Sequence, residues 1–408
     1  MTLFEDLKWR GLIQDISSPE LEDKLNNEEL TFYIGTDPTA DSLHIGHYSS
    51  FLLAKRLKLA GHHPLMLVGG ATGLIGDPRG KGERTLESYE KIHSNYLKLK
   101  DQVERIFGCE TVNNYDWIKD INVIEFLRDY GKHFTVNYML DKDKIRKQLD
   151  NGLSFTEFSY MILQALDYKH LYETRNVTLQ VAGSDQWGNI TSGIELIRRT
   201  LGTTVYGMTM PLVLDEQGNK IGKSEGNAVW LDKEKTSPYF LYQYLLNTSD
   251  EVVIDHLKKL TLLSREEIEK LEESNKNEPH LRLAHKALAK EVLISIHGKE
   301  EYEKALRISE ALFSGDIKKL TSDELLDAFN NIPSCEISGD KNIVDLLVEA
   351  SICSSKREAR EFVSNNSISI NGEKINDLEF VLKKEDAIVD NFTIIRKGKK
   401  KYFVIKHV

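Results

Sequence analysis

Cysteine is scarce in this chain. Cys109, Cys335 and Cys353 are the three among 408 residues, and no two form a Cys-x-x-Cys pair. That argues against a disulfide framework or a thiolate zinc site and fits reduced thiols. Long apolar runs are missing too, so no segment reads as a membrane span. Met1 to Arg10 carries Glu5 and Asp6 where a secretory signal would be apolar, and a cytoplasmic protein is expected. Internal repeats, low-complexity segments and the Gly-x-x-x-x-Gly-Lys spacing of a Walker A loop are also absent.

What is present is the composition of a globular chain, 40% hydrophobic, long enough for two or three domains. The net charge of −10 speaks against nucleic acid until its distribution is considered. Residues 351–408 hold 12 Lys and Arg against 8 Asp and Glu, a balance of +4, which leaves −14 on the first 350. A basic C-terminal module on an acidic body can still bind phosphates locally.

From about 30 to 220, apolar strands alternate with helical stretches. Strands are expected at 31–35, 64–69, 178–182 and 208–214. Helices are expected at 42–60 (capped by Asp41 or Ser42), 86–107, 120–129, 141–149, 155–170 and 185–201. Continuous apolar strands between helices suggest an α/β fold whose parallel sheet is covered on both faces. Residues 237–330 read as helical and strongly charged. A linker follows, then a small unit of two helices and an Asn371-Gly372 hairpin. The expected domains are 1–232, 233–330 and 341–408, with 331–340 as linker.

Five segments carry chemistry. His44-Ile45-Gly46-His47 opens a helix directly after the first strand, where free N–H groups and a partial positive charge suit phosphate. The two imidazoles share a helix face, and Gly46 lets something flat approach the backbone. Gly69-Gly70-Ala71-Thr72-Gly73 to Asp77 follows the second strand, where glycines mean close backbone approach; Asp77 at its mouth suits an ammonium. Tyr160, Gln164 and Asp167 form one polar stripe on an apolar, buried helix, so they are paired or line a cavity that Tyr33 could face. Gly183-Ser184-Asp185-Gln186-Trp187-Gly188-Asn189 repeats the strand, polar turn, helix pattern. Lys220-Ile221-Gly222-Lys223-Ser224 places two lysines on a glycine-bearing loop that can close over a polyphosphate.

Together these segments resemble the bacterial tyrosyl-tRNA synthetases of class I. Asp37 to His47 is similar to the first motif of that family, and Lys220 to Ser224 to the second, with Ile-Gly where the class has Met-Ser. Tyr160 to Asp167 and Gly183 to Asn189 are similar to the tyrosine enzymes. Residues 341–408 resemble an S4 RNA-binding domain through Ser355 to Arg360 and Ile368 to Gly372. The resemblance implies a Rossmann-like catalytic domain, an α-helical domain and a small α+β S4-like domain. It further implies tyrosine activation with ATP and Mg²⁺, no tightly bound protein metal site, transfer to tRNA, and a homodimer.

By the same resemblance, Tyr33 and Asp167 bracket the tyrosine hydroxyl. Tyr160, Gln164 and Asp77 hold its ammonium, and Gln186 lies near the carboxylate. Thr39, His44, His47, Lys220 and Lys223 form the catalytic set. Gly35, Asp37, Gly46, Gly183, Asp185, Lys81, Arg84 and Lys223 contact ATP. Lys356, Arg357 and Arg360 contact RNA, beside a basic run of Arg396, Lys397, Lys399, Lys400 and Lys401. The apolar segment Ile121 to Leu127 is a candidate dimer interface. The rival readings are a tryptophan-specific relative and an RNA-binding protein on a synthetase scaffold that has lost its ATP contacts; His44, His47, Lys220 and Lys223 all being present speaks against the second.

Overall fold

A computed structural model describes residues 1–78, 85–224, 227–314, 316–329, 334–388, 391–398 and 401–408, without the side chains of 223, 224, 227 and 322. Contacts divide the chain into two compact units. One is Met1–Asp232 with Thr248–Glu291, the other Lys233–Asn247 with Val292–Val408. The helical stretch expected at 233–330 is therefore shared between them.

The first unit is built on a six-stranded sheet. Its strands are β1 (Asp15–Ile16), β2 (Thr31–Thr36), β3 (His63–Val68), β4 (Glu110–Asn113), β5 (Val177–Gly183) and β6 (Tyr206–Met210), in the order β1-β6-β5-β2-β3-β4. All neighbours run parallel except β1 on β6. Phe32, Ile34, Met66, Val68, Leu179, Val181 and Met208 are buried along the central strands, the pattern of a sheet covered on both faces. The covering helices include α1 (Ile45–Leu59), α2 (Tyr89–Phe107), α3 (Asp143–Leu149), α4 (Phe155–Arg175) and α5 (Trp187–Leu201). From β2 the chain runs outward to β3 on one side and returns to β5 on the other. The crevice beyond the carboxyl ends of β2 and β5 is the place where such sheets take ligands.

Helix α1 starts at Ile45, later than the expected 42, and its N-cap is His44. The reason is that residues 43–45 are occupied in extended pairing. Ile45 N donates to Val229 O (2.9 Å) and Leu231 N to Leu43 O (2.8 Å). Neither Asp41 nor Ser42 is the N-cap of this helix: Asp41 accepts from Lys98 Nζ at 3.1 Å, and Ser42 Oγ accepts from Gln102 Nε2 at 3.0 Å. The expected helix at 120–129 is broken into Val123–Glu125 and a wide turn, Phe126–Tyr130.

In the second unit a five-stranded sheet runs β9-β8-β10-β11-β7, from β7 (Ser334–Ile337), β8 (Ile368–Ile370), β9 (Glu373–Ile375), β10 (Phe392–Lys397) and β11 (Lys401–His407). The β8–β9 turn has φ of +50° at Asn371 and +90° at Gly372, the pair of left-handed residues that Asn-Gly supplies. Ser334–Ile337, inside the expected linker, pairs parallel with β11. Ile308, Leu312 and Phe329 from the helical stretch share a buried cluster with Ile394 and Val404 of the sheet.

A buried charge cluster ties the N-terminus into the first unit. Asp6, on the helix Leu3–Trp9, lies 2.8 Å from Arg10 Nε and 3.6 Å from Arg56 Nη1. The two guanidiniums also donate to the carbonyls of Lys258, Leu263 and Thr261. Burial, then the neighbouring Arg10, lowers Arg56 to about 10. Removing Asp6 leaves two desolvated cations facing each other. Asp6→Ala is expected to lose about 3 kcal/mol of stability, read by denaturant unfolding; a loss within error would mean that water already neutralises the cluster.

Candidate active site

A cavity of ≈ 870 Å³ opens beyond the ends of β2 and β5, lined by residues of all five motif segments. Its floor is made where β2 meets β5. Tyr33 and Gln180 are register partners on these strands, 1% and 2% exposed. Among the described residues neither the Tyr33 hydroxyl nor Gln180 Oε1 has a hydrogen-bond partner. Buried polar atoms are normally paired, so two orphans in one cavity are exceptions that single it out. Burial, then the nearby Asp167 charge, holds the Tyr33 phenol well above its ordinary range, so it is a neutral hydroxyl.

Asp167 reaches the same cavity from α4 and is 1% exposed. Its Oδ1 accepts from Trp117 Nε1 (2.9 Å) and its Oδ2 from Asn114 Nδ2 (3.0 Å). Both donors favour the carboxylate, but burial outweighs them and pushes the group up to about 8. The network continues from Asn114 to Thr72 Oγ1 (2.9 Å), from Thr72 to Asp37 Oδ1 (2.7 Å), and ends where the Tyr160 hydroxyl donates to Asp37 Oδ2 (2.9 Å). Asp37 thus holds Tyr160 and Thr72. The glycine-rich turn after β3 is what lets these groups meet: a Cβ on Gly69 would overlap Thr72 Oγ1 and Asp37, and one on Gly70 would overlap Asn113.

At the mouth, Asp77 Oδ2 accepts from Lys144 Nζ at 2.5 Å and from Gln186 Nε2 at 3.0 Å. Asn189 Nδ2 joins Asp77, Gln186 and Gln164, at 2.9 Å to each of the two amide oxygens. Lys144 Nζ also lies 3.6 Å from Asp185 Oδ2.

On the opposite wall His44 Nδ1 accepts from the Gly46 N–H (3.0 Å), and His47 Nδ1 accepts from the His44 N–H (3.3 Å). The rings stack at 3.8 Å. An imidazole whose Nδ1 accepts carries its proton on Nε2, so each ring is an N–H donor at its far atom. The lysine loop is held against this turn. Ile221 O would lie 3.2 Å from a Cβ on Gly46, and Gly222, at φ +73°, has no room for a side chain against Ile45. Gly35, Thr39, Gly183 and Lys220 also line the cavity.

The structure therefore brings together Tyr33, Gly35, Asp37, Thr39, His44, Gly46, His47, Asp77, Tyr160, Gln164, Asp167, Gly183, Asp185, Gln186 and Lys220. Lys223 forms a short strand with Ala228, and its side chain is outside the described set, as are Lys81, Arg84, Lys399 and Lys400. Lys356 pairs with Asp345 at 2.6 Å, while Arg357 and Arg360 are exposed on the helix Lys356–Ser364. Lys397 turns inward, donating to Ile352 O and Glu358, and so is a structural cation and no part of a basic surface run. Among the described residues no group of three or more His, Cys, Asp or Glu is placed to hold a metal ion, and no helix is long and apolar enough to cross a membrane.

Five site residues have no place in the sequence reading: Asn114, Trp117, Gln180, Asn189 as a hydrogen-bonding hub, and Lys144. A glutamine within the apolar strand Val177–Gly183 is a signal for one of them. Asn113-Asn114 at a strand end is a weak signal for a second. Lys144 has none, since it sits in an ordinary charged helix.

Comparison with known proteins agrees with this geometry. Residues 25–314 match the family described as tRNA synthetases class I (W and Y), and residues 324–405 the tyrosine–tRNA ligase SYY-like C-terminal domain. The chain is 54% identical to the tyrosine–tRNA ligase of Staphylococcus carnosus and 53% to that of Macrococcus caseolyticus, in each case over 99% of both chains. A C-terminally truncated Aspergillus nidulans mitochondrial tyrosyl-tRNA synthetase superposes with a TM-score of 0.69 at 31% identity, covering 76% of this chain and 94% of that one. The two family models and the whole-length similarity lead to one conclusion: the chain belongs to the tyrosyl-tRNA synthetase family of class I.

Proposed function

We propose that this enzyme activates L-tyrosine with ATP and passes the tyrosyl group to the 3′ end of a tRNA, with the cavity residues in the following roles. The observation that carries the reading is the orphaned Tyr33 hydroxyl beside buried Asp167. A substrate phenol placed between them donates to Asp167 and accepts from Tyr33. Phenylalanine would leave the Tyr33 hydroxyl unpaired and bring Asp167 no further donor, which is how such a site rejects it; tyrosyl-tRNA synthetases are themselves the standard illustration of that rule. Asp77, Tyr160 and Gln164 receive the ammonium, and Gln186 stands beside the carboxylate.

A tyrosine carboxylate oxygen then attacks the α-phosphorus of ATP. A new O–P bond forms as the bond to the β-phosphate breaks, and pyrophosphate departs with the electron pair. No side chain has to act as nucleophile or strong base. Catalysis is positioning together with stabilisation of charge on the phosphates. His44 and His47 offer N–H donors, Thr39 a hydroxyl, and Lys220 and Lys223 cations. Asp185 faces the ribose, and Lys81 and Arg84 add positive charge near the polyphosphate. Mg²⁺ enters with the nucleotide substrate and offsets part of its charge. The adenylate is finally attacked by a terminal ribose hydroxyl of the tRNA, and AMP leaves. Arg357 and Arg360 would hold the RNA backbone.

A second copy of the chain completes the proposed assembly. Val123, Ile124 and Phe155 are 65–70% exposed on segments packed over one core cluster. Ile124→Asp with Phe155→Asp is expected to shift the protein to monomer in sedimentation. An unchanged sedimentation coefficient would move the interface elsewhere.

The direct test is ATP–pyrophosphate exchange without tRNA, run in parallel with tyrosine, phenylalanine and tryptophan. Exchange with tyrosine alone is expected. Exchange with tryptophan would overturn the floor assignment, and none at all would leave an RNA-binding protein. Arg357→Glu with Arg360→Glu should keep exchange and lose tRNA charging.

Asp167→Asn tests the floor twice. It should raise the tyrosine KM by about 100-fold or more while leaving the ATP KM within about threefold. Its stability effect depends on pH. The carboxyl moves from the ordinary 3.8 to about 8 on folding, so the folded state binds more protons between those values, and wild-type stability falls as pH rises through that range. The variant should match wild type near pH 4 and melt higher near pH 8. Unchanged tyrosine kinetics would remove Asp167 from recognition.

A further inference from the structure

Lys144 is a cation drawn into the amino-acid end of the cavity that no motif accounts for. It projects from α3, is 29% exposed, and its ammonium lies 2.5 Å from Asp77 and 3.6 Å from Asp185. Asp77 is 15% exposed, and its Oδ2 already accepts from both Lys144 and Gln186, with Asn189 at Oδ1. Oδ2 is thus already shared by two donors while Lys144 stays. Resting on the reading of Asp77 as the ammonium site, we propose that Lys144 is a built-in stand-in for the substrate ammonium. It pairs with Asp77, lies close to Asp185, and is displaced when the amino acid arrives.

The exchange is one ammonium for another, so no uncompensated charge is buried at any stage. A four-carbon flexible stem lets Lys144 swing aside without moving α3. Displacement has two consequences. Lys144 competes with any ligand that carries an ammonium, and supports any that lacks one. Its departure also releases Asp185, the residue assigned to the nucleotide ribose, so filling the amino-acid subsite prepares the nucleotide subsite. A plain partly exposed ion pair, by contrast, would contribute little to stability and would not sort ligands by their charge.

The test is direct binding by calorimetry without ATP, using L-tyrosine, tyramine and the deaminated analogue hydroxyphenylpropanoate. Against wild type, Lys144→Met is expected to bind tyrosine and tyramine about three- to tenfold more tightly and the deaminated analogue more weakly. Lys144→Arg keeps the cation and should stay near wild type, and Lys144→Gln replaces Lys144→Met if that variant does not fold. Tyramine should raise adenosine affinity in wild type, and that gain should vanish in Lys144→Met. Weaker tyrosine binding in Lys144→Met would make Lys144 a substrate ligand and overturn the proposal, as would equal shifts for all three compounds or none. Failure of the wild type itself to bind tyrosine would instead sink the functional reading on which the proposal rests.

Discussion

Burying polar groups that have no partner among the described residues is the constraint on which the catalytic unit depends. The Tyr33 hydroxyl and Gln180 Oε1 sit in the sheet's interior with their hydrogen-bonding capacity unused, and Asp167 is held there against the cost of desolvating a carboxylate. Each such group costs about 1–3 kcal/mol when left unpaired. A soft pocket would collapse and pair them with one another. The parallel sheet prevents that, because β2 and β5 fix Tyr33 and Gln180 in register while α4 carries Asp167 independently. The chain of bonds from Trp117 through Asp167, Asn114, Thr72 and Asp37 to Tyr160 keeps the remaining polar groups committed.

The opposite wall solves a different problem, bringing the histidine turn and the lysine loop together. It does so with backbone. Residues 43–45 pair with 229–231, the segment that follows the lysine loop, so the histidine turn and the lysines arrive together though nearly two hundred residues apart in sequence. Gly46 and Gly222 are glycine because the two turns touch there. The same pairing sets the late start of α1, which makes His44 the cap and turns both imidazoles into Nε2–H donors.

Much of this was legible beforehand. The apolar strands, the buried polar stripe Tyr160, Gln164 and Asp167, and the glycines before Asp77 each break a local rule of composition, and a broken rule is visible in one dimension. Asn371-Gly372 was readable for the opposite reason, since it obeys a turn rule closely. Less legible were residues that obey no rule and break none. Lys144 sits on a charged helix like many others, and Lys397, in an apparently basic run, folds inward to Glu358. Helix boundaries failed where tertiary pairing outcompeted capping, as at Asp41 and Ser42.

By itself the sequence determined which side chains exist, their local elements and the spacing that marks the family, because hydrophobic periodicity, turn chemistry and motif order are properties of neighbours along the chain. Only the tertiary structure decided which polar groups are left unpaired, which carboxylate is pushed toward neutrality and which lysine pairs with Asp77. Those depend on burial and on partners that are distant in sequence, and no local pattern encodes either.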